Sequence, residues 1–340
     1  MKTSEQSGVS TAPASAGTHA EVFVAASLQR LRALPPGTIA VWSLAVLAFP
    51  ASRLVSESFP STTLLRNVLI LALFLVLVAF GQGLIILSGG VDLSVPSSVA
   101  LGAFATGYFT SHGLPTLVAV AAAIALASLV GLINGVTISR SGFPPFIVTL
   151  SIGSIVASGL LGFSAGNPGQ TSPAELSALF AIDATILGVP IAAWILVATL
   201  IICYTVQSGS ALGRRTYAIG NSARAAEIAG IPVARSLQLV YCIAGAAFGL
   251  AGVLLLGYGS GADLNIGAPW LLPSIAAVVV GGSSIKGGSG SFVGTVGGAF
   301  LLTILGICIS AAGLSEGYKQ VLYGGVVLVA LLSGLRRVSR

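Results

Sequence analysis

The 340-residue chain is 55% hydrophobic and 7% charged, with a mean hydropathy of +1.01, whereas soluble domains carry roughly 25% charged residues. That composition excludes an ordinary cytosolic globular protein. The net charge of +6 comes from basic residues in short loops between apolar stretches, without interleaved aromatics, so it reads as a membrane-topology signal and argues against a nucleic-acid partner.

Residues 1–37 are rich in Ser, Thr, Ala and Gly and lack a basic segment running directly into an apolar one. They predict a cytoplasmic, partly disordered tail and no cleaved signal peptide. Within the tail, Glu21–Leu34 spaces Val, Phe and Leu at helical intervals beside Arg30 and Arg32. A helix lying on the membrane lipid and a solvated tail both fit that pattern.

A bilayer core of about 30 Å needs roughly 20 apolar residues per helix. Ten such stretches follow, near 38–55, 64–87, 93–111, 115–138, 144–163, 186–206, 233–257, 270–283, 292–313 and 318–335. The predicted fold is an all-α membrane protein with a transmembrane domain over 38–335 and a short cytoplasmic tail at 336–340. With the N-terminus inside, 12 of the 15 Lys and Arg fall on the cytoplasmic side, and only Arg53, Arg66 and Lys319 lie outside. The charge bias therefore predicts both termini in the cytoplasm.

Two of the stretches begin in interrupted segments. In SGGVDLSVP, Asp92 and Ser94 stand between a Gly pair and Pro96; in GADLNIGAP, Asp263 and Asn265 stand before Pro269. An ionisable residue at membrane depth is costly and usually functional, and broken backbone is tolerated there where it lines a cavity or packs inside protein. Asp263 follows Asp92 by 171 residues, about half the chain. Each comes after the second span of its half. Five spans separate equivalent elements, so the halves, 38–163 and 186–335, are expected as two inverted five-helix repeats with a pathway at their interface. Two roles are open to the four polar residues: lining that pathway, or satisfying backbone N–H groups freed by the breaks.

The cytoplasmic loop at 207–235 holds a short helix former over Ala223–Ala229, with Asn221 or Ser222 as N-cap and Gly230 as terminator. Docking of another protein and a capped solvated connector both suit it. Arg224 and Glu227, three residues apart, can form an intrahelical pair. Cys203, Cys242 and Cys308 lie in apolar segments as packing residues, and His19 and His112 are isolated, so no metal site is expected. Gly131/Gly135 and Gly245/Gly249 have the spacing of close helix contacts within the chain.

Three motifs carry a family resemblance. The run GRRTYAIGNSARAAEIAGI is similar to the cytoplasmic loop of the permease subunits of ATP-binding cassette importers for monosaccharides, the ribose/xylose/galactose type. Gly220, Asn221, Ala225, Ala226, Gly230 and Ile231 carry its pattern. Gly89, Gly90, Asp92, Leu93, Ser94 and Val95 resemble that family's GGIDLSVGS, although Pro96 replaces the usual Gly. The segment GGSSIKGGSGSFVGTVGGA resembles its later glycine-rich stretch.

The resemblance implies a permease subunit in the bacterial inner membrane, paired with a second copy, two ATPase subunits and an extracytoplasmic sugar-binding protein. It makes the segment from Gly220 to Ile231, with Arg224 and Glu227 exchanged relative to a common Glu…Arg order, the ATPase-docking helix. The chain itself is expected to be no enzyme and to need no cofactor. Its glycines at 287–298 lack the GK[ST] ending of a phosphate loop and instead suit close helix packing. The cargo expected is a pentose, hexose or polyol. Nucleosides or branched-chain amino acids would keep the mechanism, and an ion-coupled secondary transporter is the reading from a different class.

Overall fold

In the computed structural model, which describes residues 36–57, 59–166, 171–259, 261 and 263–336, a helix occupies each of the ten apolar stretches. The expectations for the tail at 1–35, the Glu21–Leu34 segment and residues 337–340 lie outside the described residues. The first half contains α1 (Pro36–Ala51), α2 (Thr62–Leu87), α3 (Val95–Ser111), α4 (Thr116–Ser141) and α5 (Pro145–Phe163). A connecting segment follows, with the short α6 (Ala174–Ala178) and a hairpin of β1 (Thr185–Ile186) and β2 (Val189–Pro190). The second half contains α7 (Ile191–Tyr204), α8 (Ala211–Asn221), α9 (Ala223–Ile228), α10 (Val233–Gly259), α11 (Leu271–Val280), α12 (Phe292–Ala311) and α13 (Glu316–Arg336).

Among the described residues, seven of these helices are long and apolar enough to cross a membrane: α1, α2, α4, α5, α7, α10 and α12, where α1 and α7 count with the turns that extend them. Two further apolar helices, α3 at 17 residues and α11 at 10, are shorter because each starts only after a broken segment.

The packing explains which helices sit at the centre. Helix α2 is apolar on every side, the pattern of a helix buried all round. Its most apolar window is 89% buried, against 22% for α5. Ser61 starts α2 by accepting a hydrogen bond from the Leu64 N–H at 3.1 Å. Helix α10 packs along α4 more closely than any other pair, through the two glycine pairs anticipated from spacing. Gly131 lies against the Tyr241 carbonyl and Gly245, and Gly245 against the Ala127 carbonyl. The pairings have a regular form: α4 packs on α10 as α12 packs on α2, and α3 packs on α10 as α11 packs on α2. Likewise α3 packs on α4 and α5, as α11 packs on α12 and α13.

One tie has no local signal in the sequence. The Arg66 guanidinium on α2 donates to the carbonyls of Phe180 and Ala181, both at 2.8 Å, and so anchors the connecting segment.

Candidate functional site

Helix α2 ends because Gly89 turns left-handed at φ +92° while its N–H and that of Gly90 bond back to Ile86 and Ile85. The chain then re-enters the protein, and Asp92 closes a tight local turn. Its Oδ1 accepts from the Ser94 N–H at 2.7 Å and from the Ser94 hydroxyl at 2.6 Å. Asn134 of α4 donates to Ser94 Oγ at 2.9 Å, and Thr149 of α5 accepts from the Leu93 N–H at 2.9 Å. Pro96 falls in the first turn of α3, where its missing N–H costs nothing. Asp92 and Ser94 are each only 1% exposed.

The second break repeats this turn. Asp263 Oδ1 accepts from the Asn265 N–H at 2.9 Å, the same two-residue reach as Asp92 to Ser94. Here both residues are exposed, because only a 3-10 turn (Ala268–Trp270) leads into the short α11. Gly267 presses on the Pro96 carbonyl so closely that any side chain would overlap it. The two interrupted segments therefore meet.

Beside that contact lies a groove of about 220 Å³, lined by Leu93, Pro96, Ser97, Ser154, Leu264 and Asn265 among others; among the described residues, no charged one lines it. Of the four polar residues singled out in the motifs, Asn265 lines the groove. Asp92 and Ser94 are buried and do not line it, and Asp263 is exposed. Ser97 and Ser154 were not legible beforehand. Nothing local distinguishes them from the other serines of their helices.

At this same end of α2 a second cluster forms. Gly220 and Asn221 do not start the short helix expected over 223–229; they complete α8, which runs through Asn221. Ser222 is the N-cap of α9, with its Oγ accepting from the Ala225 N–H at 3.2 Å. Gly230, at φ +82°, ends α9: its N–H and that of Ile231 bond back to Glu227 and Ala226. Arg224 and Glu227 pair at 3.4 Å on the exposed face, while Ala226 is buried and Ala225 and Ile228 are exposed.

The glycines at 287–290 depart from the expectation of helix packing, because α12 begins only at Phe292. Gly287 and Gly288 are left-handed, at φ +88° and +75°, in a loop that clasps the end of α2. The Gly288 N–H donates to the Leu87 carbonyl at 2.9 Å, and Asn221 Nδ2 donates to the Gly288 carbonyl at 3.1 Å. Gly220 packs on that same Leu87 carbonyl. The Tyr217 hydroxyl adds a bond to the Gly290 carbonyl at 3.0 Å and accepts from Gln207 at 3.0 Å. Burial raises the Tyr217 phenol above its ordinary pKa, outweighing the Gln207 hydrogen bond, so it stays a donor. Farther along the glycine-rich stretch, Gly294 and Gly298 do pack helix against helix, on Gly281 and Ala277.

Membrane-length apolar helices, with two interrupted segments meeting beside a groove, fit a multi-pass membrane protein. The profile of one protein family, described as a branched-chain amino acid transport system permease component, matches residues 37–331, and the chain belongs to that family. The chain is 33% identical over 281 residues to the ribose import permease protein RbsC of Escherichia coli (strain K12), covering 82% of this chain and 87% of that protein. It is 33% identical over 256 residues to the ribose import permease protein RbsC of Bacillus subtilis (strain 168), covering 75% and 80%. It is also 30% identical over 262 residues to the autoinducer 2 import system permease protein LsrD of Photorhabdus luminescens, covering 75% and 78%.

Proposed function

We propose that this chain is the permease subunit of an ATP-driven importer for a neutral, hydroxyl-rich molecule of the monosaccharide class. The observation that carries the cargo class is the groove, whose lining offers the Ser97 and Ser154 hydroxyls and the Asn265 amide but no charge. An amino-acid zwitterion entering the membrane would need charged partners, since an unpaired buried charge costs several kcal/mol. The relatives named as ribose permeases support the same class, against the branched-chain amino acids of the family description.

In this reading the ten helices all cross the bacterial inner membrane with both termini in the cytoplasm, as the Lys and Arg bias favours. The matched pairings around α2 and α10, and the like turns at Asp92 and Asp263, support two inverted repeats. Asn265, Ser97 and Ser154 line the path. Asp92, Ser94 and Asp263 hold the breaks in shape.

Coupling starts at α9, which presents Ala225 and Ile228 to an ATPase subunit. Motion of α8 and α9 reaches the membrane through Asn221, Gly288 and the Leu87 carbonyl, and that carbonyl lies five residues before Asp92. A second copy of the permease, a pair of ATPases and an extracytoplasmic sugar-binding protein complete the importer. An ion-coupled carrier fits less well. Asp92 is the one buried carboxylate among the described residues, and its own turn occupies it.

The test is Ala225→Glu, which places a charge on the exposed face of α9 without disturbing its caps. The variant should accumulate in the membrane at the unaltered level, lose more than tenfold of sugar uptake, and no longer co-purify with its ATPase. Undiminished uptake with the charge in place would contradict docking at α9.

A further inference from the structure

A second cavity, of about 330 Å³, opens between α2, α11, α12 and α13, with Pro269 and Trp270 in its wall and no lining residue in common with the groove. We propose that it is a separate binding site for a small, neutral, polyhydroxylated molecule such as a monosaccharide or polyol.

Three features support this. Asn67, Thr303 and Tyr323 line the cavity, and their side chains make no hydrogen bond to protein among the described residues. Some helical Ser and Thr in the chain bond back along their own helix, as Thr106 does to Gly102 at 2.8 Å and Ser154 to Leu150 at 2.9 Å, whereas others, such as the buried Thr38 and Ser236, do not. Thr303 forgoes that bond although it is buried. Amide, hydroxyl and phenol from three different helices thus converge without partners, and polar groups in such a place want a ligand or water.

Second, Trp270 and Tyr258 supply aromatic surface, the apolar complement to the C–H faces of a sugar ring. Trp270 is held edge-on by Phe74, with ring centroids 5.9 Å apart at 88°. Gly306 keeps the cavity open: a Cβ there would come within 2.7 Å of the Tyr323 hydroxyl.

Third, among the described residues the cavity offers no free charge. Lys319 lines it but is paired with Glu316 at 2.7 Å, with only 19% of the Lys319 side chain exposed. A phosphate or an anionic lipid headgroup would need an unpaired cation there. A neutral ligand needs none.

The test uses the full chain, purified in nanodiscs without ATPase, and the tryptophan fluorescence difference between the unaltered protein and Trp270→Phe. D-ribose, D-xylose and xylitol are titrated, with glucose 6-phosphate and phosphatidylglycerol as charged comparisons. The neutral probes should give a saturable change that Trp270→Phe abolishes. Thr303→Val, which keeps the side-chain shape, should weaken binding about fivefold, the effect of one lost hydrogen bond. Gly306→Val should eliminate it, while Ser97→Phe in the groove should leave it intact.

No saturable response to any neutral probe, a response equal in Thr303→Val and Gly306→Val, or a response only to the phosphate or the lipid would overturn the proposal. The assay contains no ATP and no ATPase, so its outcome is separable from that of the importer reading.

Discussion

Asp92→Leu should strip most of the folded protein from the membrane, whereas Asp92→Asn should leave it near the unaltered level and still transporting. The difference follows from the turn. Leucine would strand the Ser94 N–H and hydroxyl in a site that is 1% exposed. Each unpaired buried donor costs about 1–3 kcal/mol, a large share of a total stability of about 5–15 kcal/mol. Asparagine keeps one acceptor oxygen at the right reach, and Asn is a natural residue for this kind of turn. The measurement is detergent-extracted, monodisperse protein by size-exclusion chromatography, with uptake normalised to it. A properly folded Asp92→Asn protein without uptake would give the carboxylate charge a part in transport and contradict its role as scaffold.

The second large effect is expected at the clasp below α2. Gly288→Ala must place its Cβ about 2.6 Å from Asn221 Oδ1, in a backbone conformation at φ +75° that side chains rarely adopt. The left-handed conformation alone costs a non-glycine residue roughly 1–2 kcal/mol, and the steric conflict adds to it. Asn221→Ala removes the same bridge without strain, losing the bonds to Gly288 and to Tyr217. Both variants should insert and still bind the ATPase through α9, yet uptake should fall at least tenfold while ATP hydrolysis continues. That split separates a coupling joint from a docking surface. If Asn221→Ala transports at the unaltered rate, motion of α8 reaches the membrane by another route.

Much of this fold was legible in the sequence because helices are written locally. Each of the ten apolar stretches contains a helix, Gly131 packs on Gly245 between α4 and α10, and Ser222 and Gly230 bound the short helix α9. Those signals depend on periodicity, spacing and capping within a few residues.

What stayed hidden depends on residues far apart in the chain. Asn221 meets Gly288 across 67 positions, and Arg66 meets Phe180 across 114. Gly-Asn reads as a helix start when judged alone, and only the docked glycine loop reveals why α8 continues through it. Glycines at 287, 288 and 290 look like the beginning of a packed helix, but their positive φ angles belong to a loop. The groove is formed by Ser97, Ser154 and Asn265 from three separate segments. No local pattern marks that convergence.

The central claim, ATP-driven import of a neutral sugar through this permease, is tested most directly in proteoliposomes. The permease is reconstituted with its co-purified ATPase, ATP is enclosed on the α9 side, and sugar-loaded binding protein is supplied on the other. Radiolabelled sugar should accumulate only when ATP is hydrolysed, should stop with a non-hydrolysable analogue, and should be indifferent to collapse of proton and sodium gradients. Accumulation driven by either gradient with ATP absent would contradict the account.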